Sequence, residues 1–71
     1  MELNIAALLI LIKDKFRDNK TWFAEEVGIN KSYMNSILNG KAIKHSPKVC
    51  HKVIEYCERN NLDYKQYIIL P

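Results

Sequence analysis

The sequence predicts an all-α fold, a single domain over 1–71 with about five short helices. Three observations predict this fold. Apolar residues recur at helical spacing, polar capping residues precede the apolar segments, and glycine or asparagine residues follow them. A chain of 71 residues in which 48% are hydrophobic has enough apolar side chains for one compact core. A domain of this size is only marginally stable alone, so dense packing or a partner chain is needed.

The first helix is predicted to run from about Glu2 to Phe16 or Arg17. A buried strand over 5–12 is the alternative, but the polar residues that follow continue a helical pattern. Further apolar residues widen the sector beyond one stripe, so the helix is covered on several sides or faces another chain. The core-facing residues recur at helical spacing: Ile5, Leu8, Leu9, Ile12 and Phe16.

Two short helices are predicted next, Lys20–Val27 and Lys31–Leu38. Asn19 and Asn30 precede them as N-caps, because an asparagine side chain accepts hydrogen bonds from the free amides of a first turn. Gly28 ends the earlier helix, since glycine tolerates the positive φ of a helix end. The later helix is predicted to stop at the pair Asn39-Gly40.

The remaining helices lie in the C-terminal third of the chain. Ser46-Pro47 is predicted to open the fourth helix, with serine as the N-cap and proline at the first helical position. Asn60-Asn61 ends that helix. Asp63 is then predicted to cap a short fifth helix that carries Tyr64, Tyr67 and Ile68.

The net charge of +3 is concentrated in one part of the chain. The segments 1–19 and 49–71 each carry as many acidic as basic residues, so the whole surplus lies in 20–48. A localised basic segment is expected of a protein that binds a polyanion, and a solvated lysine-rich surface is the alternative. The charged residues of this segment are Lys20, Lys31, Lys41, Lys44, Lys48, Glu25 and Glu26.

Cys50 and Cys57 lie on one predicted helix, with Cα atoms about 10.5 Å apart, which is too far for a disulfide. They are predicted to be reduced core thiols of a cytoplasmic protein. Zinc bound with His45 or His51 is the alternative, but no spacing typical of zinc sites supports it, so no metal or cofactor is predicted. The apolar segment 3–12 is too short to cross a bilayer and lacks the features of a signal peptide, which also favours the cytoplasm.

The segment 20–39 meets several independent requirements of a DNA-reading helix-turn-helix. Close crossing of the two helices needs a small residue, and Ala24 supplies it. The turn needs a residue that tolerates positive φ, which is Gly28, and an apolar side chain to bury, which is Ile29. The remaining apolar anchors of the motif are Phe23, Val27, Met34 and Ile37.

The outer face of the Lys31–Leu38 helix carries small uncharged polar residues, and no acidic residue occurs between 30 and 47. Short polar side chains can approach the edges of bases without clashing. Lys31 lies at the N-terminus of this helix, where phosphate groups are favoured. The polar residues on this face are Ser32, Asn35, Ser36 and Asn39.

On these residues, 20–40 resembles the helix-turn-helix of the phage repressor and Cro family, also called the XRE-like family. Asn39-Gly40-Lys41 looks like the usual ending of that family's recognition helix. The resemblance implies a five-helix, lambda-repressor-like domain, encoded by a bacterium or phage and associated with the nucleoid. It also implies that the protein binds operator DNA as a dimer to regulate transcription. The chain departs from the family at Lys20, where glutamine is common, and in its more apolar first helix.

The resemblance also implies site residues. The recognition helix, over 31–39, would enter the major groove. By the resemblance the expected base contacts are Lys31, Ser32 and Ser36. Asn35 is added to them because it lies on the same polar face. By the resemblance Asn39 would contact a phosphate, and a C-terminal cap is the alternative role for it. On their charge and position alone, further phosphate contacts are expected from Lys20, Lys41, Lys44 and Tyr33, and a half-buried packing role is the alternative for the tyrosine.

Two apolar segments are candidates for the dimer surface, one on the first helix and one at the C-terminal end. If they pack against each other within one chain, the protein is a monomer. The same helical fold could instead serve as a protein–protein module, such as an antitoxin or adaptor. An enzyme is not expected, since the adjacent Glu25 and Glu26 point about 100° apart and form no acid–base pair. The candidate dimer residues are Ile10, Leu11, Tyr64, Tyr67, Ile68, Ile69 and Leu70.

Overall fold

The computed structural model describes residues 1–42 and 46–70. Four α-helices and two short strands account for most of these residues, and a single 3-10 turn lies between the last helix and the last strand. In chain order the elements are β1 (Glu2–Leu3), α1 (Ile5–Lys15), α2 (Lys20–Val27), α3 (Lys31–Leu38), α4 (Pro47–Arg59), the 3-10 helix Tyr64–Gln66 and β2 (Ile68–Ile69).

The prediction of an all-α, five-helix, lambda-repressor-like fold is wrong, because the described chain has four α-helices and a small antiparallel sheet. The predicted fifth helix is only a 3-10 turn, in which the Asp63 side chain accepts a hydrogen bond from the Lys65 amide at 3.0 Å. The chain then extends into β2. The first helix begins later than predicted, because Asn4 is its N-cap and accepts from the Ala7 amide at 3.2 Å.

The two strands join the first residues of the chain to the last described ones. Glu2 pairs with Ile69 and Leu3 pairs with Ile68. Leu3 and Ile68 are both buried, so this pair covers one end of the core. The contact continues beyond the strands, because the Asn4 amide donates to the Tyr67 carbonyl oxygen at 2.9 Å.

The bounds of α2 and α3 match the predicted ones, and the turn between them contains only Gly28, Ile29 and Asn30. Asn19 caps α2 as predicted, accepting from the Trp22 amide at 3.0 Å. Gly28 ends α2 with φ 86° and ψ 35°, a left-handed conformation in which a side chain is strained. The amides of Gly28 and Ile29 both donate to the Ala24 carbonyl oxygen at 2.9 Å, which closes the helix end.

An aromatic cluster joins α1, α2 and α4. The ring centroid of Phe16 lies 5.3 Å from that of Phe23 and 4.9 Å from that of Trp22. Tyr56 of α4 meets Phe23 edge to face at 5.6 Å. The Arg59 guanidinium donates to the carbonyl oxygen of residue 26 at 2.7 Å, which ties the end of α4 to the end of α2. Other core side chains include Leu8, Leu11, Ile12, Val27, Met34, Ile37, Leu38, Val49 and Val53.

The two cysteines lie inside the core. Cys50 and Cys57 are both buried on α4, and neither of them is part of a disulfide. Burial raises the pKa of each thiol above its ordinary value, so both are protonated at neutral pH. Over residues 1–42 and 46–70, no helix is long and apolar enough to cross a membrane.

Candidate nucleic-acid interface

Helix α3 is held on one face and open on the other. It packs most extensively against α2 and also contacts α1. Met34, Ile37 and Leu38 are buried on its inner face. On the opposite face, which residues 1–42 and 46–70 leave uncovered, Ser32 and Asn35 are exposed. A partner therefore has access to one polar face of a fixed helix.

The N-terminus of α3 is capped by its own chain. The Asn30 side chain accepts hydrogen bonds from the amides of Ser32 at 2.9 Å and Tyr33 at 3.2 Å. The sequence predicts that phosphate groups are favoured at this helix end. These two amides are already bonded to Asn30, so they are not free to bind a phosphate. Lys31, the first residue of α3, is exposed and reaches solvent with its ammonium group.

The four predicted base-contact residues differ in what they can offer a base. Lys31, Ser32 and Asn35 are exposed, and their side chains donate no hydrogen bond to any of the described residues. Ser36 is half-buried. The Ser36 hydroxyl donates to the carbonyl oxygen of Ser32 at 3.1 Å. Its proton is thus used within the helix, and the oxygen retains lone pairs that accept from a base donor.

The C-terminal end of α3 places two further predicted contacts. Gly40 has φ 74°, and its amide donates to the Ile37 carbonyl oxygen at 3.1 Å. The Lys41 amide donates to the Ser36 carbonyl oxygen at 2.8 Å. This pair of hydrogen bonds is a Schellman motif, which holds Lys41 against the last turn of α3. Asn39 and Lys41 are both exposed there.

Two of the other predicted phosphate contacts lie on described helices. Lys20 is half-buried at the start of α2, and Tyr33 is exposed on the first turn of α3. The predicted contact of Lys44, and the zinc alternative at His45, fall outside the described residues. Among the residues described, no group of three or more His, Cys, Asp or Glu side chains lies close enough to hold a metal ion.

The predicted dimer surface needs correction. Leu11 and Ile68 are buried within the chain, because α1 and β2 turn these side chains toward the core. Tyr64 and Tyr67 are half-buried against the same core. The exposed apolar residues of the predicted set are Ile10, Ile69 and Leu70, with 62%, 45% and 51% of their surfaces accessible.

Two lysines that the sequence analysis did not assign lie beside α3. Lys48 and Lys52 of α4 line a cleft together with Tyr33. Lys48 and Lys52 are four residues apart in a predicted helix, which places them on one face. This spacing could have indicated a pair of neighbouring positive charges. Only the packing of α4 against the turn after α2 brings that face to α3.

Fold and site together define a small, mostly helical protein with two eight-residue helices around a short turn and an exposed, acid-free polar face. Comparison with protein-family models, curated proteins and solved structures finds no match to this chain.

Proposed function

We propose that the protein binds double-stranded DNA in a sequence-specific manner and regulates transcription. The observation that carries this proposal is the outer face of α3, which is exposed, polar and free of acidic residues. A helix fits the major groove of B-DNA, where short polar side chains distinguish base pairs by their hydrogen-bonding groups. In this proposal α3 and Asn39 form the recognition segment. Lysines beside it contact the phosphates.

The proposed active form is a homodimer on a short palindromic site. Two recognition helices related by a two-fold axis would read half-sites about 34 Å apart, one turn of the duplex. Exposed Ile10, Ile69 and Leu70 are the candidate dimer surface. A dimer also supplies the partner surface that a chain of 71 residues needs for extra stability.

The affinity for DNA is expected to depend steeply on salt. With about four phosphate contacts per chain, a dimer makes about eight, and the slope of log affinity against log salt is near −7. Fluorescence anisotropy of a labelled duplex at several salt concentrations measures this slope. A slope near zero would contradict the mechanism, because counterion release is then absent.

Base reading is tested by selecting bound duplexes from a random pool. Ser32→Ala and Asn35→Ala are each expected to relax the preference at one position per half-site, by about 1–3 kcal/mol of discrimination. Ser36→Ala is expected to relax it only where the contacted base donates, because the Ser36 hydroxyl proton is already bonded to Ser32. Identical preferences in all three variants and the parent would rule out the assignment of α3 as the reading helix.

A protein–protein module, such as an antitoxin or adaptor, is the second candidate function. The observation that favours it is the exposure of three large apolar side chains, Ile10, Ile69 and Leu70, which a partner protein could cover. This function predicts that substitutions at Ser32 and Asn35 are tolerated, whereas polar residues at Ile10 abolish complex formation. Failure of the duplex selection together with this pattern would favour it over DNA binding.

A further inference from the structure

A cleft of about 240 Å³ lies between the turn after α2 and the first half of α4. Two of its residues, Asn30 and Tyr33, belong to the cap and first turn of α3, so the cleft adjoins the proposed reading face. The other lining residues come from the turn and from α4, and they are Gly28, Ile29, Lys48, Val49 and Lys52.

The charge of this cleft is positive. Lys48 and Lys52 are four residues apart on α4, so they project from one face, and no acidic side chain lines the cleft. Within residues 1–42 and 46–70, neither lysine forms an ion pair. Two like charges at this spacing repel each other by about 0.2–0.5 kcal/mol, and an anion between them would relieve that repulsion.

The two lysines differ in their surroundings. Lys52 is half-buried, and its Nζ atom lies 3.9 Å from the position that a Cβ atom on Gly28 would occupy. Its ammonium therefore lies near the C-terminal end of α2, where a helix favours positive charge. Lys48 is exposed. Lys48 is thus the cation that is available to an outside ligand.

The lining of the cleft matches a ligand that has an anionic group beside an apolar one. Ile29 and Val49 contribute apolar side chains to the lining, while the two lysines, Asn30 and Tyr33 contribute side chains that carry polar groups. A deoxyribose-phosphate unit has this combination, since its sugar carbons are apolar and its phosphate oxygens accept hydrogen bonds from lysine, tyrosine and asparagine.

We propose that this cleft binds a phosphodiester of the DNA backbone beside the segment read by α3, with Lys48 as its charged contact and Tyr33 as a hydrogen-bonding contact. The inference rests on the proposed DNA-binding function and extends the interface to α4. A backbone contact on the flank of α3 carries no sequence information, and it fixes the orientation of the helix in the groove.

The test compares Lys48→Gln with Lys65→Gln, which removes the same charge from the 3-10 helix, an element that packs mainly against α4 and β2. On a duplex that the parent protein binds, Lys48→Gln is expected to reduce the magnitude of the salt slope by about 0.9 for each chain in the complex. Its order of preference among duplexes is expected to stay unchanged. Lys65→Gln and Lys48→Arg are expected to keep the parent slope.

Each result has a separate meaning. A slope for Lys48→Gln equal to that of Lys65→Gln overturns the cleft assignment and leaves the proposed function standing. A changed base preference in Lys48→Gln also overturns it, because a phosphate contact is indifferent to sequence. Failure of the parent protein to bind any duplex overturns both proposals. Thermal unfolding checks that the fold is kept, as expected for an exposed lysine in the first turn of α4, where positive charge is unfavourable.

Discussion

Replacing Phe23 by alanine is expected to lower the free energy of unfolding by about 3–5 kcal/mol. Phe23 is fully buried and makes edge-to-face contacts with Phe16 and Tyr56, so the substitution leaves a cavity where α1, α2 and α4 meet. A domain of this size is stable by about 4–11 kcal/mol, so the variant loses a large part of its stability. Urea unfolding followed by circular dichroism measures the change.

Trp22→Ala is the matched control, because it removes a larger ring from the neighbouring position of the same helix. Trp22 is 43% exposed and contacts Phe16 only by an edge, at 4.9 Å between ring centroids. Its loss is expected to cost less than the loss of Phe23, because Trp22 keeps a large part of its surface in solvent. The aromatic pair itself adds about 0.5–1.5 kcal/mol to the contribution of the buried area. Equal destabilisation of the two variants would contradict the placement of Phe23 at the centre of the core.

Replacing Lys31 by glutamate is expected to abolish or strongly weaken DNA binding without loss of the fold. The substitution puts a negative charge at the exposed start of α3, close to the phosphates in the proposed complex. Repulsion between unit charges about 4 Å apart costs about 1–4 kcal/mol, depending on the local dielectric. Two chains double this cost, so affinity falls by about 30-fold or more.

Folding and binding are expected to respond in opposite directions to this substitution. The first turn of α3 contains no acidic residue, and a glutamate there interacts favourably with the helix dipole, by about 0.3–1 kcal/mol. Lys65→Glu makes the same change of charge on the 3-10 helix and serves as the control. Anisotropy titrations and thermal unfolding of both variants measure the two quantities. Equal weakening of DNA binding by both variants would contradict a specific role for α3.

The part of the fold that the sequence predicts correctly is the part that local chemistry determines. The ends of α2 and α3 follow from Asn19, Gly28, Asn30 and Gly40, each of which acts on the adjacent turn. The sheet was missed because two-residue strands have no readable periodicity, and their pairing joins residues far apart in sequence. The spacing of Tyr64, Tyr67 and Ile68 predicts a helix after Asp63, but so short a segment fits one turn of an α-helix and one turn of a 3-10 helix equally well.

In the candidate site, too, some features follow from local sequence and others depend on how the chain packs. The exposed polar face of α3 could be read from residue spacing, because the period of a helix assigns Ser32 and Asn35 to the side opposite Ile37. The hydrogen bond of the Ser36 hydroxyl to its own helix depends on a rotamer that no pattern reveals. The cleft beside Lys48 depends on how α4 packs against the turn, which is a tertiary contact.

The pairing of β1 with β2 also determines when this protein can finish folding during synthesis. Ribosomes add about 5–20 residues per second, whereas a helix forms in about a microsecond or less. The residues of α1, α2 and α3 are therefore made seconds before Ile68, which pairs with Leu3. During that interval the buried side of β1 lacks its cover, so the nascent chain is exposed to aggregation and to chaperones until β2 has been translated.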